Sequence, residues 1–487
     1  AARHPNPRKR IAAQNHAVLP GLIDAHTHAG HAMTRTAGGG SSKTWFDTVG
    51  RIYLRGTSVD FWRLDAAMAA TERLRFGTTT AVVLLGGGDS AMRCDEMRFV
   101  DAHMEAVQQV GIKEIVVVGH PRPPFPATYS TWQGGQESVA SVSFAQFRDV
   151  CAEAVRTWHG GADGRIRVAL LSPVHHELSD PAQAEALYAC TREMRELSRR
   201  LGVLFHQDGH RNGSVAALQR ETGALGHDVS LSHCVDLTEA DIAALVETGA
   251  VVVHNPSANY SIHGRCPAPE LIDVGVVVAL GTDAPAPDRS ADMFRNMWQC
   301  MHYHRRHFRD EQVMPPGKVL EMCTIDAARG LGLDHEIGSI EVGKKADVIT
   351  VDLFKPHIMP LQMPVYRITC FAQGSDVANV IVDGRVVLEG GKVRTLDWRG
   401  VLEEVQMEAE GVIFHFGENI GVNRPLSELQ TRHDAVLLCG GAEHPRHPGC
   451  AGTEFEGVHY AMPYLVQQNR RNGGEPVTDD PILAAGT

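Results

Sequence analysis

The sequence predicts a parallel (β/α)8 barrel, the TIM-barrel fold, followed by smaller additions. Eight short apolar segments alternate with longer segments of helical periodicity over the first two thirds of the chain. The short segments are almost continuously apolar, as is typical of parallel strands buried on both faces. They cover residues 18–28, 78–85, 112–119, 166–173, 203–208, 229–234, 250–256 and 276–283.

Two of the intervening segments show the helical pattern most clearly. Residues 59–76 and 181–201 carry apolar side chains at the spacing of one helix face, each directly before an apolar segment. A doubly wound open sheet is the alternative arrangement. No GxGxxG motif follows the first strand, which argues against that alternative.

After the barrel, two stretches predict a smaller β domain. Residues 338–353 and 377–393 combine short strands with Gly and Asp-Gly turns, which favour a small β-sandwich. Near residue 401 the sequence pattern changes from short strands to a helix followed by strands, which indicates an α/β appendage. We therefore predict four segments: a sandwich remnant at 1–17, the barrel at 18–335, completing sandwich strands at 336–400 and the appendage at 401–487.

Composition narrows the function classes. The chain has 487 residues and a formal net charge of −12, which argues against a general nucleic-acid binder. It has no apolar run of the roughly 20 residues that span a membrane, and no h-region follows its basic N-terminus. Ten scattered cysteines without a CxxC pair indicate reduced thiols. We expect a cytoplasmic homo-oligomer that acts on a small molecule, without nucleic-acid or membrane partners.

Polar residues close four of the predicted strands. His26 and His28 end the first strand, His206 the fifth, His233 the sixth and Asp283 the eighth. Strand ends of a barrel converge on one face, and an HxH pair on a strand points to one side. Histidines and a carboxylate suit a divalent first-row metal. Each histidine alone is more often an ordinary residue, so the prediction rests on their co-occurrence.

Other histidines have weaker signals. His302, His304 and His307 lie on a predicted helix among arginines, and we interpret them as a solvated or loop-facing surface. His175 and His176 follow the fourth strand and are candidates for lining a pocket. Aromatic residues near the predicted loops would suit a partly apolar substrate, although ordinary packing explains each one as well. They are Trp45, Phe46, Phe125, Tyr129, Trp132 and Tyr260.

Several ordered motifs carry a family resemblance. GLIDAHTH, GTTT, LSHCVDLTEADIAALVETGAVVVHNPSAN, ALGTDAP and GSIEVGKKADVITVD together resemble the metal-dependent amidohydrolase superfamily. The branch is that of the cytosine, guanine and S-adenosylhomocysteine deaminases and the triazine hydrolases, with phenylurea and molinate hydrolases as related members. The resemblance covers about residues 15–395.

The resemblance implies a ligand set. One Zn, Fe or Co ion, with Zn preferred, would be held by His26, His28, His206 and Asp283. The fourth strand offers no lysine to bridge a second metal. A bound metal lowers the pKa of water from about 15.7 to near 7. Metal-bound hydroxide would then attack the substrate carbon, Asp283 would accept the proton, and His233 would polarise the electrophile.

The stretch FHQDGH, residues 205–210, departs from the deaminase branch. That branch reads HxxE, with a Glu that protonates a ring nitrogen, and here Gly209 takes the place of the Glu. Asp208 and His210 are the replacements within reach as acid or base, although Asp208 could equally be a turn residue. We predict a hydrolase of non-peptide C–N bonds in an amide, urea or carbamate. A deaminase of a purine, pyrimidine, triazine or S-adenosylhomocysteine is the alternative.

Both ends of the chain are unusual. The family usually has two or three sandwich strands before the barrel, and this chain has about 17 residues there. Residues 402–487 resemble an internal piece of the small subunit of glutamate synthase, with words such as HDAVLLCGGAEHPR. They lack the dinucleotide-binding glycines and the iron–sulfur cysteines, so we carry over neither flavin nor NADPH. Alternatives of another class are a flavin/NADPH oxidoreductase module, which the missing glycines disfavour, and a non-catalytic fused remnant.

Overall fold

The computed structural model describes residues 9–37, 42–88, 91–133, 135–175, 181–259, 263–286 and 289–410, together with the single residues 425, 428 and 467. By its internal contacts the chain divides into two units, Ala1–Ile413 and Phe414–Thr487. Most of the second unit, and with it most of the predicted appendage, lies outside the described residues. The elements below belong to the first unit.

The secondary structure alternates strands and helices in the way the sequence predicts. The strands are β1 (His16–Pro20), β2 (Leu22–His28), β3 (Thr78–Leu84), β4 (Lys113–Gly119), β5 (Ala127–Gln133), β6 (Gln136–Val142), β7 (Ile166–Leu171), β8 (Phe205–Gln207), β9 (Val229–Ser232), β10 (Val251–His254), β11 (Val278–Leu280), β12 (Val348–Asp352), β13 (Val377–Val382), β14 (Arg385–Glu389) and β15 (Lys392–Val393). The helices are α1 (Ser42–Arg55), α2 (Val59–Arg75), α3 (Met97–Val110), α4 (Phe144–Trp158), α5 (Gly161–Gly164), α6 (Pro181–Leu201), α7 (Ser214–Thr222), α8 (Glu239–Thr248), α9 (Pro256–Ala258), α10 (Ala268–Asp273), α11 (Met293–Phe308), α12 (Pro316–Met322), α13 (Ile325–Gly330), α14 (Pro364–Phe371) and α15 (Trp398–Ala409).

Eight parallel strands form the barrel. Their order is β2-β3-β4-β7-β8-β9-β10-β11. The last strand returns to the first, because Thr27 pairs in parallel with Asp283 and the Asp283 amide donates to the His26 carbonyl at 2.9 Å. The strands are buried along their length, with helices outside them. The predicted (β/α)8 barrel is therefore confirmed.

The first predicted strand is two strands in the structure. Gly21 separates β1 from β2, and a Cβ there would lie 2.0 Å from Thr79 Oγ1, so the chain passes the barrel wall where only glycine fits. Strand β1 leaves the barrel and pairs antiparallel with β12, His16 opposite Asp352. The segment boundary predicted after residue 17 thus lies inside β1.

The additional β domain is one antiparallel sheet in the described residues. Its order is β1-β12-β13-β14-β15, so the N-terminal strand completes a sheet built mainly from residues 348–393. Buried Asn379 ties two of its strands together, since its Nδ2 donates to Thr350 Oγ1 at 2.8 Å.

A β-hairpin not predicted from the sequence lies between β4 and β7. Strands β5 and β6 form it, and buried Arg93 anchors it by donating from Nη1 to the carbonyls of Ser130 at 3.0 Å and Tyr53 at 2.9 Å. Tyr129 packs on Phe147 beneath the hairpin. This tyrosine is therefore a core residue.

Helix α15 crosses the boundary predicted at residue 401. It packs on α2, where Arg63 Nη2 lies 2.9 Å from Glu404 Oε2. Residues 401–409 thus belong with the barrel. The predicted helices at 59–76 and 181–201 correspond to α2 and α6 almost to the residue.

Two bulk expectations can be compared with the described residues. The eight cysteines there are unpaired thiols, seven of them buried. Among the described helices, none combines the length and the apolar character needed to cross a membrane.

Candidate metal centre

The predicted ligands meet at the C-terminal ends of the barrel strands. His26 and His28 end β2, His206 lies on β8, His233 directly follows β9, and Asp283 lies three residues beyond β11. All five side chains are buried. The structure therefore gathers residues that are more than 250 positions apart in the chain.

Two imidazoles and two carboxylates form the centre of the cluster. His28 Nε2 lies 3.1 Å from Asp283 Oδ1 and 3.5 Å from Asp208 Oδ2. His26 Nε2 lies 3.3 Å from Asp208 Oδ1 and 3.6 Å from Asp283 Oδ1. Asp208, predicted as an acid or a turn residue, thus stands among the ligand atoms.

His206 lies beside this group. Its Nε2 is 3.0 Å from His26 Nδ1, its ring stacks on His26, and its Nδ1 is 2.7 Å from Ser230 Oγ. Among the described residues, two sets have ligand atoms within 4.8 Å of one another at this centre. They are His26, His28 and Asp208, and His26, His233 and Asp283.

Neighbouring groups orient the cluster. The Gly86 carbonyl lies 3.0 Å from His28 Nδ1 and accepts a hydrogen bond from it. This contact turns Nε2 of His28 towards the carboxylates. The hydroxyl of Ser232 donates to Asp208 Oδ1. Arg289 Nη1 donates to Asp283 Oδ2 at 2.9 Å, so Oδ1 faces the histidines.

The charges of the cluster shift its pKa values strongly. Burial lowers the pKa of His26, but the carboxylates of Asp208 and Asp283 outweigh burial and raise it to about 10. Burial raises the pKa of Asp208, but the charge of His26 and a hydrogen bond from His233 hold it well below its ordinary value. Two carboxylates here stay ionised and attract a cation.

The donor set fits a divalent metal. His26 Nε2 is fully buried, has no hydrogen-bond partner among the described residues and faces two carboxylate oxygens. A buried nitrogen in that position needs a proton or a metal ion. Imidazole and carboxylate together suit first-row divalent ions.

The backbone at this face is strained at two of the predicted site residues. His233 has φ 65° and Asp283 has φ 59°, in the left-handed region that side chains other than glycine rarely adopt. Such residues concentrate at active sites, where the surrounding structure holds them. Gly209, at φ 98°, sits beside them in a conformation that disfavours any side chain.

A cavity of about 160 Å³ opens onto the cluster. Trp45 and Phe46 form an apolar wall, as predicted for a partly apolar ligand, while Arg211 and Arg289 bring positive charge. The remaining lining residues are His28, His31, Gly87, Gly88, Asp208, Gly209, His233, Val235, His263, Asp283 and Ala284.

Two sequence candidates lie away from this cavity. His210 is fully buried, with Nδ1 2.9 Å from Ser214 Oγ and Nε2 3.1 Å from Gln207 Oε1, so its geometry does not support the predicted contact with substrate. His175 contacts Tyr188 instead of the cavity. His176 and Tyr260 lie outside the described residues.

The surface interpretation of His304 is wrong. The ring is fully buried on α11, and its Nε2 lies 3.2 Å from Nε2 of His254 at the end of β10. His302 and His307 on the same helix are exposed or partly exposed, as predicted. His304 faces the barrel because it lies on the helix side that carries the buried Cys300 and Met301.

Sequence reasoning missed three residues around the cluster. Arg289 binds Asp283, His263 packs its ring 4.6 Å from that of His233, and Asn259 Oδ1 lies 2.8 Å from His233 Nδ1. Asn259 and His263 lie in a short helical turn after β10, and Arg289 lies in a loop, so none of them belongs to a segment with a clear apolar period. The HNPSAN motif that contains Asn259 was the one available signal.

Comparison with known proteins decides the family. The profile of the Amidohydrolase family matches residues 17–387. The chain belongs to this family. It is therefore a metal-dependent amidohydrolase, an enzyme that hydrolyses carbon–nitrogen bonds other than peptide bonds.

Curated relatives of this amidohydrolase are deaminases. A 5-methylthioadenosine/S-adenosylhomocysteine deaminase of Desulforudis audaxviator is 31% identical over 415 residues, 83% of this chain and 88% of the relative. The enzyme of the same description from Caldanaerobacter subterraneus subsp. tengcongensis is 29% identical over 420 residues, with the same coverage. A 5'-deoxyadenosine deaminase of Methanosarcina mazei is 28% identical over 83% of this chain and 88% of its own length.

Solved structures share the fold of the amidohydrolase. An adenosine deaminase from Xanthomonas campestris with bound zinc has a TM-score of 0.68 at 23% identity, over 82% of this chain and 86% of its own. An atrazine chlorohydrolase from Arthrobacter aurescens, complexed with zinc and atraton, has a TM-score of 0.67 at 19% identity, over 81% and 89%.

Proposed function

We propose that this amidohydrolase uses one divalent metal, zinc, to hydrolyse the C–N bond of an amide, urea or carbamate in a small, partly apolar molecule. The observation that carries this proposal is the turn after β8. Gly209 stands where the deaminase branch has its ring-protonating Glu, and φ 98° keeps that position free of a side chain. A substrate that needs no ring protonation fits this site.

We assign the metal to His26, His28, Asp208 and Asp283, with His206 against His26. The distances of 3.1–3.6 Å between their ring nitrogens and carboxylate oxygens support the assignment. When bound, a divalent metal supplies a water whose pKa falls to about 7 and polarises a carbonyl oxygen.

The protein's own groups handle the protons. Asp208 and Asp283 present ionised oxygens next to the metal position, and either can accept the proton of the attacking water. Asp208 is supported by Ser232 and Asp283 by Arg289, which fixes the oxygen each one offers. The leaving nitrogen takes up a proton from the group that accepted it, as hydrolysis requires.

An amide, urea or carbamate carbon suits this arrangement. Its carbonyl is already electrophilic, so it needs only polarisation of the carbonyl oxygen, which a metal held by these residues would supply. The wall of Trp45 and Phe46 would hold the apolar part of the substrate, and Arg211 on the cavity rim would favour polar or anionic substituents.

Deamination of a nucleoside-type heterocycle is the second candidate. It is favoured by the deaminases among the curated relatives, which match more than four fifths of this chain. In that case Asp208 would have to protonate the ring from a position one residue earlier than the usual Glu.

One assay separates the two candidates. Zinc-loaded protein would be incubated with N-acyl amines, phenylureas, carbamates, 5-methylthioadenosine and deoxyadenosine, with ammonia, free amine and metal content measured together. Amine release from the first three groups supports the proposal. Ammonia release from the nucleosides alone would favour the deaminase, and less than about half a metal per chain with no turnover would favour the non-catalytic remnant.

A further inference from the structure

A chain of hydrogen bonds runs from α11 to the metal centre. His304 Nε2 lies 3.2 Å from His254 Nε2, His254 Nδ1 lies 3.2 Å from Asn259 Nδ2, and Asn259 Oδ1 lies 2.8 Å from His233 Nδ1. All four side chains are buried. Asn259 is the link between the two histidines behind the barrel and the one that lines the cavity.

One backbone carbonyl fixes the direction of the chain. Asn259 Nδ2 also lies 3.3 Å from the carbonyl oxygen of His233, and a carbonyl can only accept. The Asn259 atom facing it must therefore be the NH2 group, so the opposite atom is the oxygen. This removes the usual ambiguity between the two ends of an asparagine amide.

The tautomers follow from that assignment. Because Asn259 Oδ1 accepts, His233 Nδ1 carries a proton. The second hydrogen of Asn259 Nδ2 points to His254 Nδ1, which must accept. His254 therefore holds its proton on Nε2 and donates to His304 Nε2.

The same assignment argues against a second metal site. His254, Cys300 and His304 have ligand atoms within 4.8 Å of one another, which is compatible with a metal by distance alone. In the hydrogen-bonded chain, however, one nitrogen of neutral His254 accepts a hydrogen bond and the other carries a proton. Neither has a lone pair left for a metal, so His254 and His304 serve the hydrogen-bond chain.

We infer that Asn259 is a positioning residue that holds the ring of His233 by accepting a hydrogen bond from its Nδ1–H, so that Nε2 faces the cavity. Nε2 of His233 lies 3.3 Å from Asp208 Oδ1 and 3.9 Å from Asp283 Oδ1. Asn259 therefore sets the direction in which the imidazole of His233 meets the two carboxylates.

Burial supports neutral imidazoles along the chain. Burial, followed by the charge of His304, holds the pKa of His254 well below its ordinary value, and burial lowers the pKa of His304 to about 3. Both rings are therefore uncharged at neutral pH, as the tautomer assignment requires.

The test reads the tautomer directly. Protein labelled with 15N in histidine would be examined by long-range 1H–15N NMR, metal-free and zinc-loaded, with the His233 signals assigned by their loss in His233→Gln. We expect a proton on Nδ1 in the wild type, with and without zinc. A His233 whose Nδ1 carries no proton would overturn the inference, whether or not a substrate has been found.

Variants of Asn259 separate positioning from packing. Asn259→Leu removes the acceptor, so His233 should no longer favour a proton on Nδ1, and kcat should fall about tenfold or more while KM changes little. Asn259→Asp keeps the acceptor but loses the NH2 donor to the His233 carbonyl, so it should keep the proton on Nδ1 and recover only part of kcat. Asn379→Leu, a buried asparagine in the five-stranded sheet, is the matched control and should change neither.

The outcomes remain distinguishable if a variant misfolds or no substrate is turned over. The kcat part rests on the proposed function, but the NMR part does not. An Nδ1–H signal without turnover of any substrate in the panel would refute the proposed function and leave the tautomer standing. Unchanged tautomer and kcat in folded Asn259→Leu would refute the positioning role.

Discussion

Asp208 Oδ1 lies 3.3 Å from Nε2 of His233, and the hydroxyl of Ser232 donates to the same carboxylate oxygen. This contact places Asp208 in the candidate metal centre. The deaminase branch has its Glu at the next position, where this chain has Gly209. The carboxylate is one methylene shorter and one residue earlier than their Glu. That displacement underlies the first prediction.

Asp208→Asn should lower turnover about a hundredfold or more, because the variant loses an ionised oxygen that accepts a proton. It should also weaken zinc binding, since Asp208 contacts both His26 and His28. Steady-state kinetics and zinc titration measure the two effects. Ser232→Ala, which leaves the carboxylate in place, should cost less, and normal turnover in Asp208→Asn would show that the carboxylate has no chemical role.

His28→Ala should abolish zinc binding and activity, because Nε2 of His28 faces both carboxylates of the centre. Metal analysis of the purified variant gives the answer. His175→Ala is the matched control, since that ring contacts Tyr188 outside the cavity. Full metal content in His28→Ala would mean that the ligand assignment is wrong.

Removing the metal should destabilise the fold. Without a cation, the centre keeps two buried carboxylates close together, and a ligand present at a hundred times its Kd adds about 2.7 kcal/mol to the free energy of unfolding. Thermal melts with chelator and with added zinc should therefore differ by several degrees. The same shift in His28→Ala would point to zinc binding elsewhere.

Gly209→Ala should destabilise the protein by about 1 kcal/mol or more, because φ 98° is costly for a residue with a Cβ. Chemical denaturation measures the change. Gly202 has a positive φ in an open position behind α6, so Gly202→Ala carries the backbone cost without contact with the centre. A larger loss of activity in Gly209→Ala than in Gly202→Ala would link the turn to catalysis.

Acid should weaken the barrel through Glu114. Burial raises the pKa of Glu114, but His103 and Arg73 outweigh burial and lower it below its ordinary 4.5. A carboxylate with a depressed pKa stabilises the fold above pH 4.5, and that contribution is lost as the pH falls below it. Glu114→Gln should cost about 3–5 kcal/mol at neutral pH and flatten the acid limb of the stability curve. Glu311 is exposed, so Glu311→Gln should leave the curve unchanged.

The barrel was predictable because its strands are buried on both faces. Continuous apolar runs indicate such strands independently of the loop sequences. In the helices between them, apolar residues recur at the helical period. Gly21 was harder to interpret, because the predicted first strand, residues 18–28, continues through the point where β1 and β2 separate into two sheets. Only the contact with Thr79 shows that break.

The centre itself was half visible from the sequence. Histidines and an aspartate at predicted strand ends indicate a site, because the C-terminal strand ends of a barrel lie on one face. The role of Asp208 was ambiguous, since the side chain of a residue directly after a short strand can point towards the barrel or away from it. In the structure its carboxylate points towards His26 and His28. Asn259, His263 and Arg289 lie in short connecting segments without an apolar period. Their contacts with His233 and Asp283 depend on backbone conformations that local sequence does not determine.

The pairing of β1 with β12 places the first and last parts of the barrel domain in one sheet, residue 16 opposite residue 352. During synthesis, β1 therefore has no partner strand until all eight barrel strands have been made. Contacts this distant in sequence close slowly. Since the HxH strand begins two residues after β1, the candidate metal centre includes a segment whose neighbour β1 is paired only after residue 352 has been synthesised. In a chain cut before β12, β1 would lack its partner strand, and we expect zinc binding to be weaker.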